Sequence, residues 1–181
     1  MIFRTVYWLL RSRLSGARLG IHDVGRIRMR AQFTDIDTLG HINNGMYLSL
    51  MDIGRVDLMI RAGAWSTIMK LGIYPVVGSA TMTYRRSIEF LTKFTLETRI
   101  AGYDERAVYI EQRFVVGDEI YAQGFVKGRF LRKKGGPVPM AELLDLFGVD
   151  ASERRLPEWI ERWSDDVRLP STRTPTPSVW N

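Results

Sequence analysis

The sequence contains no cysteine and only two histidines in 181 residues. Without cysteine, the chain forms neither disulfide bonds nor thiolate zinc sites, and His22 and His41 are few for an imidazole metal site. We therefore expect no bound metal. The lack of cysteine also fits a reducing compartment, and we expect a cytoplasmic protein, although many exported proteins lack cysteine too.

Long apolar runs and nucleotide-binding motifs are also absent. The apolar N-terminal stretch, residues 1–14, is shorter than the roughly 20 residues that a spanning helix needs, and it lacks a small-residue signal cleavage site. No glycine-rich phosphate loop joins a strand to a helix, and no stacking-aromatic RNA-binding motif occurs. We therefore expect no membrane span, no secretory signal and no nucleic-acid partner.

The composition that is present is typical of a globular protein: 45% of the residues are hydrophobic, 25% are charged and 11% are aromatic. A chain of 181 residues suits one well-buried domain with appendages. The net charge of +6 points to an anionic partner, such as a phosphorylated cofactor, an acidic carrier protein or a membrane surface. Charge alone does not choose among these partners.

Residues 1–14 predict a short amphipathic helix, because apolar residues recur near helical spacing with arginines between them. Two interpretations stay open for this helix. In the favoured one, it packs on its own domain or on a partner subunit. In the other, it lies at a membrane surface, with Tyr7 and Trp8 in the interface and arginines supporting it.

The next part of the chain predicts one strand, one long helix and then four more strands. Arginines alternate with apolar residues in the first strand, as in a half-buried strand, and a largely apolar helix continues to about Ala62. Gly117 and Asp118 suit a two-residue hairpin turn. This order predicts an α+β fold in which an antiparallel sheet wraps a long central helix. The predicted strands cover residues 25–33, 76–88, 94–103, 107–116 and 119–132.

The C-terminal part predicts two short helices, at residues 140–147 and 157–163, followed by a tail rich in Ser, Thr and Pro. We accordingly divide the chain into four parts. These are an amphipathic N-terminal segment (1–19), the main domain (20–135), a helical extension (136–169) and a flexible tail (170–181).

The turn before the long helix holds the most informative motif. Its spacing is D-x-D-x-x-G-H-x-N-N-x-x-Y, with an acidic residue five positions later and an arginine eight positions later. The residues at these positions are Asp35, Asp37, Gly40, His41, Asn43, Asn44, Tyr47, Asp52 and Arg55.

This motif resembles that of the hotdog-fold thioesterases of the 4-hydroxybenzoyl-CoA thioesterase-like superfamily, and the resemblance covers about residues 20–132. The chain is most similar to the thioesterase-superfamily-like branch that carries an apolar N-terminal segment. The resemblance implies a hotdog fold and hydrolysis of a fatty or aromatic acyl-CoA, with CoA as part of the substrate and no further cofactor. It also implies a homodimer or a dimer of dimers. Leu39 replaces an asparagine of the plant acyl-carrier thioesterases, so carrier-protein specificity is not implied.

The residues themselves also favour acyl chemistry, because a thioester carbonyl needs a base or nucleophile and donors for the developing oxyanion. Asp37 is the leading candidate, as general base or as nucleophile, and the sequence leaves both routes open. Backbone N–H groups from Asn44 to Tyr47 lack intrahelical partners at the first turn and are candidate oxyanion donors. In the resembled family, His41 orients the turn or touches the thioester. The candidate catalytic residues are Asp37, His41, Asn44, Gly45, Met46 and Tyr47.

Structural roles compete with these assignments. Asp35 and Asn43 fit turn or cap positions, and Asp52 is expected to pair with Arg55 on the same helix. Candidate ligands for the CoA phosphates are Arg85, Arg86 and Arg129, although a solvated sheet face explains them equally. A methionine-rich stripe that would suit an acyl tunnel is more often ordinary core. That stripe comprises Met46, Leu50, Met51, Trp65 and Met82.

Two further functions remain open at this point. In the first, the chain is a non-catalytic hotdog protein that binds acyl thioesters or lipids at a membrane surface, where residues 1–14 hold it. In the second, it is a hydratase with the same fold. The sequence is less similar to hydratases of this fold, because their Asp/His pair occurs in a different sequence motif.

Overall fold

A computed structural model describes residues 2–15, 17–171 and 174–179. Within these ranges the chain forms a six-stranded antiparallel sheet and five α-helices, which confirms the predicted α+β class. The strands are β1 (Gly25–Arg30), β2 (Ile73–Tyr84), β3 (Lys93–Tyr103), β4 (Val108–Val116), β5 (Glu119–Arg132) and β6 (Gly136–Pro137). The helices are α1 (Ile2–Leu14), α2 (Asn44–Arg61), α3 (Ala64–Lys70), α4 (Met140–Phe147) and α5 (Glu158–Asp166).

The strand order is β1-β3-β4-β5-β2, with β6 paired to the end of β5. Apolar side chains of α2 and of one sheet face form the main core, in which Leu50, Met51, Leu96 and Phe114 are fully buried. The opposite face is covered in part by α5, where Ile160 packs near the sheet in a smaller cluster. The long helix is therefore the central element that the sheet encloses.

A buried polar network fixes α2 on the sheet. Gln112 Nε2 donates to the Met51 carbonyl and to Thr98 Oγ1, at 2.9 Å each, and Arg55 Nη1 donates to Gln112 Oε1 at 2.7 Å. Gly54 allows this approach, because a Cβ there would lie 2.6 Å from Thr98 Oγ1. Since buried polar groups need partners, the network favours one position of α2, and with it one position of its N-terminus.

Helix α1 covers the β1 edge of the sheet and packs on α2. Arg4 Nη2 donates to the Arg30 carbonyl at 3.2 Å, Ser12 Oγ donates to Asp57 Oδ1 at 2.6 Å, and Trp8 packs against the core. This confirms the interpretation that the helix packs on its own domain; Met1 lies outside the described residues. The opposite α1 face exposes apolar side chains, namely Phe3, Tyr7, Leu10 and Leu14.

The second edge strand, β2, differs from the prediction. It begins at Ile73 and ends at Tyr84, whereas the predicted range, 76–88, begins directly after Pro75, because proline usually interrupts a strand. Proline is tolerated here because β2 lies at the edge of the sheet, where one side of the strand needs no ladder partner. The predicted hairpin at Gly117 is confirmed by the pairing of Val116 with Glu119.

Three smaller differences concern element ends and short helices. Strand β1 ends at Arg30, because residues 33–35 form a 3₁₀ turn, and α3 was missed because it is only seven residues long. Helix α4 matches its prediction, and α5 ends three residues later than expected. No helix in the described part of the chain combines the length and apolar character that crossing a bilayer requires.

Candidate active site

The loop between β1 and α2 closes as a tight turn with Asp37 and His41 at its base. Ile36 and Ile42 form an isolated antiparallel bridge, and the Asp37 N–H donates to the His41 carbonyl at 2.9 Å. Gly40 has a φ of 82°, a region that glycine adopts at no steric cost. The glycine of the motif is thus a geometric requirement of this turn.

A second segment, residues 88–90 just after β2, forms hydrogen bonds with the other side of the loop. The Ile42 N–H donates to the Ile88 carbonyl at 2.8 Å, and the Phe90 N–H donates to the Gly40 carbonyl at 3.1 Å. His41 and Glu89 also form an isolated bridge. The backbone of the loop is therefore held in place over the whole stretch that carries the motif.

Asp37 presents a partly exposed carboxylate within this fixed loop. Its Oδ1 accepts from the Leu39 N–H at 2.9 Å, and its Oδ2 lies 3.4 Å from His41 Nδ1. The two side chains are 24% and 28% exposed. Among the described residues, His41 is the only ionisable side chain that pairs with Asp37, and no arginine or lysine neutralises this carboxylate.

Asp35, two residues earlier, is fully buried. Its Oδ2 accepts from the Gln32 N–H at 2.9 Å and from Arg4 Nη1 at 2.5 Å, while Oδ1 has no partner in the described part of the chain. Its carbonyl accepts from the Asn43 N–H at 2.9 Å. Asp35 therefore links α1 to both ends of the loop, and its predicted turn role is confirmed.

The N-terminus of α2 is capped from within the chain. Asn43 Oδ1 accepts from the Gly45 N–H at 2.9 Å, and the Asn43 carbonyl accepts from the Met46 N–H at 2.8 Å. Asn43 is thus a cap, as expected. Two of the four predicted oxyanion donors already have acceptors, which leaves the N–H groups of Asn44 and Tyr47. Asn44 is exposed whereas Tyr47 is buried, so the Asn44 N–H is the better candidate donor.

Tyr47 is a core residue that is 2% exposed. Its ring meets Tyr84 and Phe114 edge to face, with centroid distances of 5.1 and 4.7 Å. Burial raises the pKa of Tyr47 to about 12, in spite of a hydrogen bond from the Ile88 backbone that lowers it. Tyr84 in turn donates to the Asn44 carbonyl at 3.2 Å, so the two tyrosines brace the start of α2.

The three arginines predicted to bind CoA phosphates lie at two separate places. Arg85 and Arg86 both pair with Glu119, at 3.1 and 2.7 Å, near the start of β5. Arg129 lies ten residues along the same strand, roughly 33 Å away for an extended chain. Its Nε is buried without a partner in the described part of the chain. These residues do not form one site, and their role stays a prediction.

The methionine-rich stripe belongs to the core. Leu50 and Met51 are fully buried, Met46 and Met82 pack against them, and Trp65 lies on α3 away from this cluster. A separate apolar cavity between α2, α4 and the sheet has a volume of about 100 Å³, below the several hundred Å³ of ordinary ligand pockets. Asp52 pairs with Arg55, as the spacing indicated.

Most of this chain, including the Asp37 loop, is similar to a known protein family. Residues 31–163 match the model of the thioesterase-like superfamily. The chain belongs to this family. The matched range begins directly after β1 and includes the Asp37 loop, strands β2 to β6 and most of α5. Membership in the thioesterase-like superfamily supports thioester hydrolysis in general, without specifying the acyl group or the catalytic residues.

Two relatives share the name Protein THEM6. The protein from Danio rerio is 32% identical over 134 residues, which cover 74% of this chain and 65% of that protein. The protein from Drosophila melanogaster is 25% identical over 172 residues, which cover 94% of this chain and 87% of that protein. The match thus spans slightly less than two thirds of the Danio rerio protein, and the shared name specifies no activity.

Solved structures show the same fold. The DHNA-CoA thioesterase from Staphylococcus aureus aligns with a TM-score of 0.63 at 15% identity, over 81% of this chain and 97% of that chain. At this level of identity the likeness concerns the fold, which confirms the predicted hotdog architecture.

One contact of the site was not predicted from the sequence. Arg4 reaches Asp35 from a separate helix, 31 residues earlier in the chain. The only available signal was the arginine content of α1, which also fits a membrane surface. The anchoring segment at residues 88–90 had no recognisable motif either.

Proposed function

We propose that this protein hydrolyses an acyl-CoA thioester, fatty or aromatic, to the free acid and CoA. The observation that carries the proposal is Asp37, a partly exposed carboxylate that lacks an arginine or lysine partner among the described residues. It lies in a fixed loop, 3.4 Å from His41. Family membership supports thioester hydrolysis in general, and the acyl-CoA substrate is the further step of the proposal.

Two routes are compatible with this carboxylate. As general base, Asp37 takes a proton from a water molecule whose oxygen attacks the thioester carbonyl, and the CoA sulfur leaves and takes up a proton. As nucleophile, Asp37 forms a mixed anhydride with release of CoA, and water then hydrolyses the anhydride. In both routes the Asn44 N–H, at the positive end of α2, is the proposed donor to the oxyanion.

The acyl group has candidate contacts around the same loop. Phe33 and Phe90 meet edge to face at 6.5 Å, and both are largely exposed. Leu39 and Leu91 are also exposed, at 77% and 52%. Exposed apolar side chains in the loop that carries Asp37, and in the segment bonded to it, suit a substrate with an apolar body and a reactive carbonyl. They do not specify the length of the acyl chain.

We further propose a homodimer, or a dimer of dimers. Strand β2 is a 12-residue edge strand with Val77 and Tyr84 exposed, whereas α1 covers the opposite edge. An uncovered edge strand of this length tends to pair with another chain. Size-exclusion chromatography with light scattering should give a dimer mass at micromolar concentration, and a monomer would contradict this part of the proposal.

The test of the activity is release of free thiol from a panel of short, long and aromatic acyl-CoAs by the purified full chain. Turnover of at least one of them is expected, and the preferred one names the substrate class. Turnover that persists unchanged in the Asp37→Asn variant would contradict the assignment of Asp37.

One observation favours a second function, a non-catalytic lipid-binding protein at a membrane surface. The outer face of α1 exposes Phe3, Tyr7, Leu10 and Leu14, at spacings that place them on one side of the helix. Sedimentation with anionic vesicles, together with no turnover of any thioester, would support this alternative. Loss of sedimentation on replacing Phe3 and Leu14 with Ser would identify α1 as the contact.

A further inference from the structure

The pairing of β1 with β3 shows two opposite charge arrangements. Arg26 lies across from Glu97, and the two form an ion pair at 2.8 Å. At the other end of the pairing, Arg30 lies directly across from Lys93. Like charges in this position destabilise a sheet. Because this arrangement lowers the stability of the sheet, it points to positive charges that bind an anionic ligand.

The cations at this end are available for binding. Arg28, Arg30 and Lys93 are all exposed, and none of them pairs with a carboxylate in the described part of the chain. In contrast, Arg85 and Arg86 share the single carboxylate of Glu119. The three cations without a carboxylate partner are therefore better suited to bind a phosphate than Arg85 and Arg86.

A cleft of about 850 Å³ lies over these cations, within the range of small-molecule sites. Helix α1 provides the exposed aromatic side chains of Phe3 and Tyr7 at the wall of this cleft, whereas Arg11 lies over the Trp8 ring at 5.2 Å. Among the described residues, none that lines the cleft is acidic. Aromatic faces next to several unpaired cations match a ligand that joins a flat base to phosphate groups.

The cleft lies close to the Asp37 loop. The guanidinium of Arg4 donates both to the Arg30 carbonyl, at the cleft, and to Asp35, in the loop. Gln32, which lines the cleft, precedes Asp37 by five residues, so an extended chain separates their Cα atoms by at most about 18 Å. A ligand with a flexible arm could therefore occupy both places.

We propose that this cleft binds the phosphorylated nucleotide end of coenzyme A. The base packs on the exposed ring of Tyr7, and the phosphates bind Arg28, Arg30 and Lys93. The proposal rests on the proposed function in taking a CoA thioester as the substrate. It gives α1 a role in substrate binding in addition to its role in covering the sheet edge.

Isothermal titration calorimetry of the full chain with CoA and with 3′-dephospho-CoA tests the proposal without requiring turnover. The triple variant Arg28→Gln, Arg30→Gln, Lys93→Gln should bind CoA at least about tenfold more weakly, because even one charge-assisted hydrogen bond contributes about that factor. Arg26→Gln, which removes a paired charge from the same strand, is the matched control and should bind like the wild type. Wild-type affinity should fall with added salt.

Thermal melting shows whether weaker binding by the triple variant is due to unfolding. Its melting temperature should be unchanged or higher, because the substitutions remove the Arg30–Lys93 repulsion. Wild-type CoA affinity in the triple variant would overturn the proposal, even if acyl-CoA turnover is observed. Absence of CoA binding to the wild type would overturn it too. In that case, binding to phosphatidylserine vesicles would assign the cations to lipid headgroups. Loss of turnover in Asp37→Asn with CoA binding retained would leave both proposals standing.

Discussion

Asp35 and Asp37 are the same residue type, two positions apart, yet the fold gives them opposite environments. Asp35 is fully buried, and Arg4 neutralises it. Asp37 is partly exposed, and its only ionisable partner among the described residues is His41. One carboxylate is thereby committed to holding the loop, and the other remains free to act on a substrate.

The difference arises from what covers each side of the loop. Helix α1 lies over the Asp35 side and supplies the only guanidinium that reaches it within the described chain. Asp37 lies beyond the Ile36–Ile42 bridge, where the turn projects away from the core. A buried charge requires a partner, whereas a partly solvated one does not. Spacing in a motif therefore does not by itself assign a chemical role.

The largest expected effect follows from Asp37→Asn. We predict a fall in kcat of at least about 100-fold, because general base catalysis contributes 100-fold or more. The melting temperature should change little, since Asn keeps an acceptor for the Leu39 N–H. Asp150→Asn is the matched control, because Asp150 accepts from the Ser152 N–H in the same local geometry, outside the loop. Equal kcat values in these two variants would remove Asp37 from the mechanism.

The next largest effect should come from Arg4→Met. This change leaves the buried Asp35 carboxylate without a countercharge, and we predict a loss of about 3–5 kcal/mol in the free energy of unfolding. Urea denaturation measures it. Adding Asp35→Asn should recover part of the loss, because the uncompensated charge disappears. Arg13→Met, an exposed position on the same helix, is the control, and an equal effect of the two changes would argue against the ion pair.

A smaller effect is expected for His41→Gln. The His41 side chain lies 3.4 Å from Asp37, whereas the His41 backbone forms a bridge with Glu89 that any residue can form. Loss of one side-chain interaction should lower kcat about tenfold, with the fold retained. Steady-state kinetics and far-UV circular dichroism measure the two quantities. A loss as large as that of Asp37→Asn would instead make His41 the primary base.

The smallest effect should be that of Tyr47→Phe on the pH dependence of the rate. Because burial raises the pKa of Tyr47 to about 12, the phenol stays protonated at assay pH. The pH profile of kcat/KM between about pH 5 and about pH 9 should therefore keep its shape in the variant. A limb that disappears on this substitution would show that Tyr47 titrates in the mechanism.

Much of the fold was accessible from the sequence, because local periodicity reports burial. The alternation of Arg26, Arg28 and Arg30 with apolar residues predicted the start of β1 and the side that faces the core. Pro75 was misleading because a proline is compatible with β2 only when β2 is known to be an edge strand. That knowledge comes from the pairing of the strands, which no local pattern encodes.

The site was predictable only in part. Motif spacing located the loop, the cap at Asn43 and the pair of Asp52 with Arg55, which are all local features. The contact between Arg4 and Asp35 depends on how α1 crosses the finished domain, and nothing near either residue predicts it. The occupied amides of Gly45 and Met46 likewise follow from the geometry of the cap.

The most direct test of the division between the two aspartates is to measure kcat and the melting temperature together for Asp35→Asn and Asp37→Asn. We predict that Asp37→Asn loses turnover with its melting temperature unchanged, while Asp35→Asn melts earlier and keeps turnover in its folded fraction. The opposite pattern, with turnover lost in folded Asp35→Asn and retained in Asp37→Asn, would contradict the account.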